Sequence, residues 1–275
     1  LPFLQQYSSH VQCYSTLANV FSSLKTCSKM YGFIPTDILL FRVNLFLSGL
    51  KRTMQTSVTQ MSPVTVSLLK RLYKLVNFHN SFHVCMWSLM LFMFFTFVRK
   101  SNVLPLSENK FDSHSQVCCE DIVCYKDRML VTLGWSKTIQ FGQRKVNIPV
   151  SSIPGSCLCP IQAYKALRGL VPGHHNMSPF TYFGQDKEVH ILTYPVFVSQ
   201  FRSWLLQIGV NPDLFCTHSF RRGGATFAYQ CGIDPQLIKA QGDWSSDCYL
   251  KYVTLSTHQK LYTTRRMADS IVSFN

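Results

Sequence analysis

The hydrophobic pattern of the chain divides into three regimes. In the first, "YSTLANVFSSLKTCSKMYG" sets Leu17, Val20, Phe21 and Leu24 at helical spacing, with Gly32 as a stop. "TDILLFRVNLFLSGLKR" sets a second apolar stripe, with Thr36 or Asp37 as its cap. Then "RTMQTSVTQM", Arg52 to Met61, is polar, has no stripe and reads as a linker. The second regime opens with "SPVTVSLLKRLYKLV", where Ser62 reads as an N-cap and Pro63 as the first helical residue. "VCMWSLMLFMFFTFVRKSN" follows: from Val84 to Val98 no residue carries a charge, and the run ends in Arg99 and Lys100. A membrane-spanning helix needs about 20 apolar residues, so this shorter run reads as a core helix. In the third regime the period changes. "RMLVTLGWSK" and "RKVNIPV" alternate as strands joined by "TIQFGQ", with Gly142 at the turn. "CPIQAYKALRGL" and "YPVFVSQFRSWLLQIGV" are helices, and three short helices follow, broken at Gly232 and Gly242.

These elements predict a mainly α protein with a small β-hairpin sheet (α+β). The predicted organisation is a helical domain over 1–52, a linker over 53–61 and a larger domain over 62–275. No repeat or low-complexity tract interrupts it. The chain starts at Leu1 rather than Met, which reads as a helical domain truncated at its start.

Charge changes the picture. The chain of 275 residues carries 27 Lys+Arg against 13 Asp+Glu, a net charge of +14. Scarcity of acids rather than abundance of bases produces the excess, and a polyanion is the natural partner. Eleven cysteines show no CxxC and no paired His/Cys spacing, only Cys118-Cys119 and the CxC of Cys157 and Cys159. That argues against structural zinc and for reduced thiols in an intracellular protein. There is no secretory signal.

The stretch richest in chemistry is "THSFRRGGATFAYQCGIDPQLIKAQGDWSSDCYLKYV", Thr217 to Val253. His218 and Arg221 are three apart and share a helix face. Gly242-Asp243-Trp244 follows, then Tyr252 eight residues after the tryptophan. An H-x-x-R pair, a helical hairpin, a G-x-W step and a closing tyrosine in this order resemble the tyrosine recombinases. The form "HSFRRGGATFA…GDWSSDCYLKYV" is especially similar to recombinases of DIRS/Ngaro-like and Crypton elements. The resemblance implies a catalytic domain of that fold behind a helical SAM-like core-binding domain. It also implies an earlier arginine at the end of a core helix and a lysine on a β-hairpin. Arg99, in Arg99-Lys100-Ser101-Asn102, and Lys137, in "GWSKTIQFGQ", stand where these belong, with Lys145 as the alternative lysine. The implied site is Arg99, Lys137, His218, Arg221, Trp244 and the nucleophile Tyr252.

Three departures from the family pattern matter. Asn102 stands where many relatives have Glu, Trp244 replaces a commoner His, and the short gap to Tyr252 makes Tyr249 a competing nucleophile.

The chemistry follows from the residue types. Two guanidiniums can each clamp the oxygens of a phosphodiester that gathers charge during displacement, which lysine cannot do in bidentate fashion. A free phenol has a pKa near 10, so Tyr252 needs cations or a base such as His218. Lys137 would protonate the departing 5′ oxygen, and Trp244 can donate one hydrogen bond and pack the site. No metal or nucleotide cofactor is implied. Gly223, Gly224 and Ala225, small residues in the helix of Arg221, point to close approach of a backbone or DNA.

The expected partner is double-stranded DNA, held in a clamp with Lys25, Lys29, Arg42, Lys51, Arg52 and Arg222 on phosphates. The resemblance implies a tetrameric synapse, with the segment after Tyr252 packing on a neighbour. Nuclear DNA cleavage and rejoining through a 3′-phosphotyrosyl link, serving a mobile element, is the leading expectation. A non-catalytic DNA-binding protein derived from such a recombinase, or topoisomerase-like relaxation, are the alternatives.

Overall fold

The computed structural model describes residues 6, 11, 14–54, 60–135, 139, 144–251 and 257–273. The chain separates into two compact units, residues 1–60 and 61–275.

The first unit is a pair of helices, α1 (Tyr14–Met30) and α2 (Asp37–Thr53). Gly32, with φ of 77°, turns the chain after α1 in a conformation that other residues adopt only with strain. Thr36 begins α2, its hydroxyl accepting the Leu39 N–H at 3.3 Å. Leu17, Val43 and Leu47 are buried between the helices, flanked by Tyr14, Phe21, Phe46 and Leu50. Lys51 lies over the Tyr14 ring at 5.9 Å and so fastens the end of α2 to the start of α1.

The second unit is built around one apolar helix. After α3 (Val66–Tyr73) comes α4 (Ser81–Thr96), started by Asn80, whose side chain accepts from the Phe82 and His83 N–H groups. Twelve of its sixteen residues, from Val84 to Thr96, are buried. A helix apolar on every side must be covered on every side. Its cover is α5 (Pro160–Leu170), α7 (His218–Gln230), strand β3 (Val146–Ser151) and strand β4 (Thr181–Phe183). Between α5 and α7 in sequence lies α6 (Tyr194–Gln207), closed by Gly209 at φ 68°. No helix among the described residues is long and apolar enough to cross a membrane.

Strand β3 belongs to an antiparallel sheet ordered β1-β2-β3, with β1 at Ile122–Cys124 and β2 at Arg128–Leu133. The β2–β3 register runs from Arg128 opposite Ser151 to Leu133 opposite Val146. A second hairpin pairs β4 with β5 (Val189–Ile191). The chain then passes through α7 and α8 (Pro235–Gln241), a 3-10 segment (Asp247–Lys251) and α9 (Thr257–Ser273).

Several local expectations are corrected. Helix α3 starts after Thr65, whose hydroxyl accepts from Leu68 N–H at 3.1 Å, not after Ser62. The Ser62 and Val64 N–H groups instead bond the carbonyls of Leu214 and Ser219, so that segment is extended along the entry to α7. Strands β1, β4 and β5 carry no alternation long enough to announce themselves. The stretch after Trp244 is a 3-10 segment as far as Lys251 rather than a further α-helix.

The glycines of α7 are explained by backbone contact. A Cβ on Gly223 would stand 2.0 Å from the Val64 carbonyl oxygen, and one on Gly224 2.0 Å from that of Phe94. Helix α7 is thereby pressed against the end of α4 and the 61–65 segment.

Gly224→Ala sets two effects against each other. Alanine gains about 1 kcal/mol of helix propensity, but overpacking against an immovable carbonyl costs about 1–3 kcal/mol or more. The expected outcome is a lower urea midpoint for Gly224→Ala. Gly169→Ala in α5, where a Cβ meets nothing within 4 Å, should leave the midpoint unchanged or raise it.

Candidate functional site

The site is assembled where α4 ends. Its last turn is closed by Thr96, whose hydroxyl donates to the Phe92 carbonyl at 2.6 Å. Phe97 then takes a left-handed conformation (φ 53°, ψ 24°), which is unusual for a bulky residue. That reversal sends the chain into a short 3-10 turn, Lys100–Asn102, with Arg99 at its head. The two cations part company there. Lys100 stacks on Tyr194 at 3.6 Å, while half-buried Arg99 lines a narrow cavity.

Arg221 lines the same cavity from α7. It is 3 % exposed. Its guanidinium donates through Nη1 to the Phe97 carbonyl and through Nη2 to the Gly242 carbonyl at 2.7 Å. Its guanidinium carbon lies over the Trp244 ring, 4.0 Å from the centroid. Only a planar fork can reach two carbonyls and stack at once. Trp244 is buried with Phe97, Ala225, Ile238 and Tyr249, its ring 6.1 Å from Phe97 and 5.8 Å from Tyr249. A Cβ on Gly242 would fall 1.9 Å from the indole, so glycine is required for the ring to fold back over its own turn.

His218 occupies the first turn of α7, with part of its ring open to solvent. Burial holds its pKa below the ordinary histidine value, and the positive charges of Arg221, Arg99 and Arg222 push it the same way. Three guanidiniums near enough to act on one imidazole define an electropositive centre. The imidazole there is neutral near pH 7 and so able to accept a proton.

Asn102 has a definite task in the place of an expected carboxylate. Buried at 2 % exposure, it donates from Nδ2 to the Trp135 carbonyl at 2.9 Å, and its own N–H bonds the Arg99 carbonyl at 3.0 Å. It thus ties the arginine turn to the end of β2. Lys145, the alternative lysine, is exposed and lines an adjoining pocket that shares Asn102 and Leu133 with the arginine cavity. Lys137 and Tyr252 lie outside the described residues. Tyr249 is buried at 3 % exposure in the Trp244 cluster, a packing position.

The cations assigned to phosphate contacts divide into groups. Lys29, Arg42, Lys51 and Arg52 are exposed on the first unit and Lys25 is half-buried, with Lys51 engaged over Tyr14. Arg222 differs from its expected setting. It is 7 % exposed, and its Nη1 donates to the Met61 carbonyl at 2.6 Å, which anchors the segment before α3.

Two groups at the site are absent from the sequence reading. Gln241 donates from Nε2 to the carbonyls of Phe95 (3.1 Å) and Pro149 (3.4 Å), joining the end of α4 to β3. Asp243, buried and at φ 49°, pairs with Arg144 at 2.5 Å and lines the cavity of the two arginines. Its position inside the G-D-W step was the available signal. Nothing in the pattern links it to an arginine 99 residues away.

The sequence matches no protein-family model and no curated protein. Solved structures are similar in fold. The Tn1549 transposon integrase in complex with transposon right end DNA superposes with a TM-score of 0.58 at 13 % identity, over 97 % of this chain and 84 % of that one. A λ integrase dimer bound to a COC′ core site gives 0.58 at 15 % identity, over 92 % and 77 %. The XerH site-specific recombinase bound to difH substrate gives 0.50 at 14 % identity, over 74 % of this chain and 53 % of that one. This chain therefore spans about half the length of XerH. A mostly helical chain with small antiparallel sheets, it has the fold of the tyrosine recombinase catalytic domain.

Proposed function

We propose that this chain cleaves and rejoins DNA strands through a transient 3′-phosphotyrosyl intermediate, without metal or ATP. The observation that carries this reading is that Arg99 and Arg221, remote in sequence, line one cavity, and that the charges of both reach His218. The fold it shares with DNA-bound recombinases and integrases supports it further.

In this mechanism Arg99 and Arg221 hold the non-bridging oxygens of the scissile phosphate. Such preorganised donors are usually the largest catalytic term, at about 10²–10³ in rate for each. The Tyr252 oxygen forms a bond to phosphorus and its proton passes to His218. The bond from phosphorus to the 5′ oxygen breaks, and that oxygen takes a proton from Lys137 or, as alternative, Lys145. Attack by a 5′ hydroxyl of another strand reverses the sequence and frees the tyrosine. Trp244 fixes the Arg221 plane, and Tyr249 serves packing.

The first unit, with Lys25, Lys29, Arg42, Lys51 and Arg52, acts as a helical core-binding domain that contacts the duplex phosphates. Helix α9 leaves Leu261, Met267, Ile271 and Val272 exposed, which supports exchange in a homo-oligomeric, tetrameric synapse. The "HSFRRGGATFA…GDWSSDCYLKYV" form supports an origin in DIRS/Ngaro-type or Crypton elements, and hence a nuclear setting.

A nicked suicide substrate tests the chemistry. Wild type and Tyr249→Phe should form a covalent adduct mapped to Tyr252, and Tyr252→Phe should form none. An adduct retained by Tyr252→Phe and lost in Tyr249→Phe refutes the nucleophile. DNA binding without an adduct in wild type favours the non-catalytic alternative instead.

The pH profile tests His218. Its folded pKa lies below the ordinary 6.5, so the neutral base persists as pH falls through 6.5. The same sign makes folding stability decline as pH drops below 6.5, because the unfolded chain then binds the extra proton. The acidic limb of cleavage is expected below pH 6.5 and should vanish in His218→Gln. A limb above pH 6.5 contradicts the role of base.

Salt tests the clamp. Duplex affinity should fall linearly with salt on logarithmic axes. Lys29→Ala and Arg42→Ala should each reduce that slope by about 1. Unchanged slopes remove the first unit from the interface.

A further inference from the structure

The geometry assigns to the Arg144–Asp243 ion pair the task of fixing the start of β3, and with it Lys145, beside the arginine cavity, an assignment that rests on the function proposed above. Arg144 stands two residues before β3, at the root of the connection whose sequence carries Lys137 and ends in Lys145. Its guanidinium, 57 % exposed, reaches Asp243, whose side chain is 7 % exposed, at 2.5 Å. Asp243 is not a surface acid. It follows Gly242, whose carbonyl holds Arg221, and precedes Trp244, which stacks on Arg221. Gln241 grips the same sheet through the Pro149 carbonyl. A run of four residues thus fixes Arg221 on one side and β3 on the other.

Two physical consequences follow. First, Lys145, the alternative acid for the leaving oxygen, follows directly on the arginine pinned to the turn that holds Arg221, so this lysine and the phosphate clamp share one frame. Second, Asp243 lines the cavity of Arg99 and Arg221. A carboxylate there opposes a phosphate unless a cation answers it, and Arg144 is that cation. Arg144 and Asp243 are positioning residues, because neither needs to touch the reacting atoms.

Asp243→Asn, Arg144→Gln and Arg144→Lys test this on a nicked duplex with either oxygen or sulfur at the bridging 5′ position. Asparagine tolerates a left-handed backbone, so the turn at φ 49° survives the change. When the bond from phosphorus to the 5′ oxygen breaks, that oxygen must gain a proton. A thiolate, the conjugate base of a thiol with a pKa near 8.5, leaves without one. Misplacing the acid should slow Asp243→Asn and Arg144→Gln by about 10–100-fold on the oxygen substrate, the cost of a small error in geometry. On the sulfur substrate Asp243→Asn, which removes the carboxylate charge along with the ion pair, should return to nearly the wild-type rate with unchanged DNA affinity. Arg144→Gln, which leaves the carboxylate unanswered beside the phosphate, should recover only in part, and Arg144→Lys should be affected least on oxygen. An equal loss on both substrates, or no loss on either, overturns the assignment.

Amide exchange in the DNA-free protein provides a readout apart from catalysis. Exchange at Lys145, Val146 and Asn147 should quicken in Asp243→Asn and Arg144→Gln, and an unchanged rate overturns the latch. If wild type forms no adduct with either substrate, the function proposed above fails, while exchange still decides whether the pair holds β3.

Discussion

Much of the second unit depends on one guanidinium reaching a helix end. The last carbonyls of α4 have no partners within the helix. Arg221 supplies one to Phe97, and Gln241 supplies another to Phe95. Burying such a charge costs several kcal/mol. Hydrogen bonds to a charged group return about 1.5–3 kcal/mol each, and a desolvated cation–π contact about 2 kcal/mol. Two carbonyls and the Trp244 ring are therefore enough to make the arrangement tolerable. The left-handed turn at Phe97, the direction of Arg99 and the seat of Trp244 all take their geometry from this contact.

The same contact explains why α7 carries glycines that cost it helix propensity. Arg221 can reach the Phe97 carbonyl only if α7 lies close to the end of α4. Gly224 allows that approach against Phe94, and Gly223 allows it against Val64. The expense of about 1 kcal/mol per glycine is repaid in placement rather than in stability.

How much of this was legible in the sequence depends on range. The core helix was readable because a fully buried helix must be apolar on every face, and Val84–Val98 is. The cap at Thr36 and the glycine stops at Gly32 and Gly209 are local chemistry, while the Asn80 cap of α4 was not read from the sequence. Thr65 was misread as Ser62 because an N-cap is decided by where its neighbours' N–H groups go. Those of Ser62 and Val64 go to carbonyls some 150 residues away. The three-residue strands β1, β4 and β5 are too short for alternation to register. At the site, order along the chain nominated Arg99, His218, Arg221 and Trp244. Asn102 was legible only as a departure from a family pattern, and its bond to Trp135 belongs to tertiary structure. Asp243–Arg144 and the burial of Arg222 were not legible, since one helical turn can present an arginine either inward or outward.

The electrostatics of the site turn on the kinds of partner that hold its cations. A carbonyl binds a guanidinium as a dipole and leaves its unit charge in place, whereas a carboxylate cancels it. Arg221 is held by carbonyls and a π face. The carboxylate that shares its cavity, Asp243, is answered by Arg144 from the other side. Positive potential thus survives at the cavity: burial is the first cause of the lowered His218 pKa, and the charges of Arg221, Arg99 and Arg222 lower it further. Carbonyl bonds to so buried a guanidinium orient it without cancelling its charge, which is what a fold would make if the charge were wanted for an anion from outside.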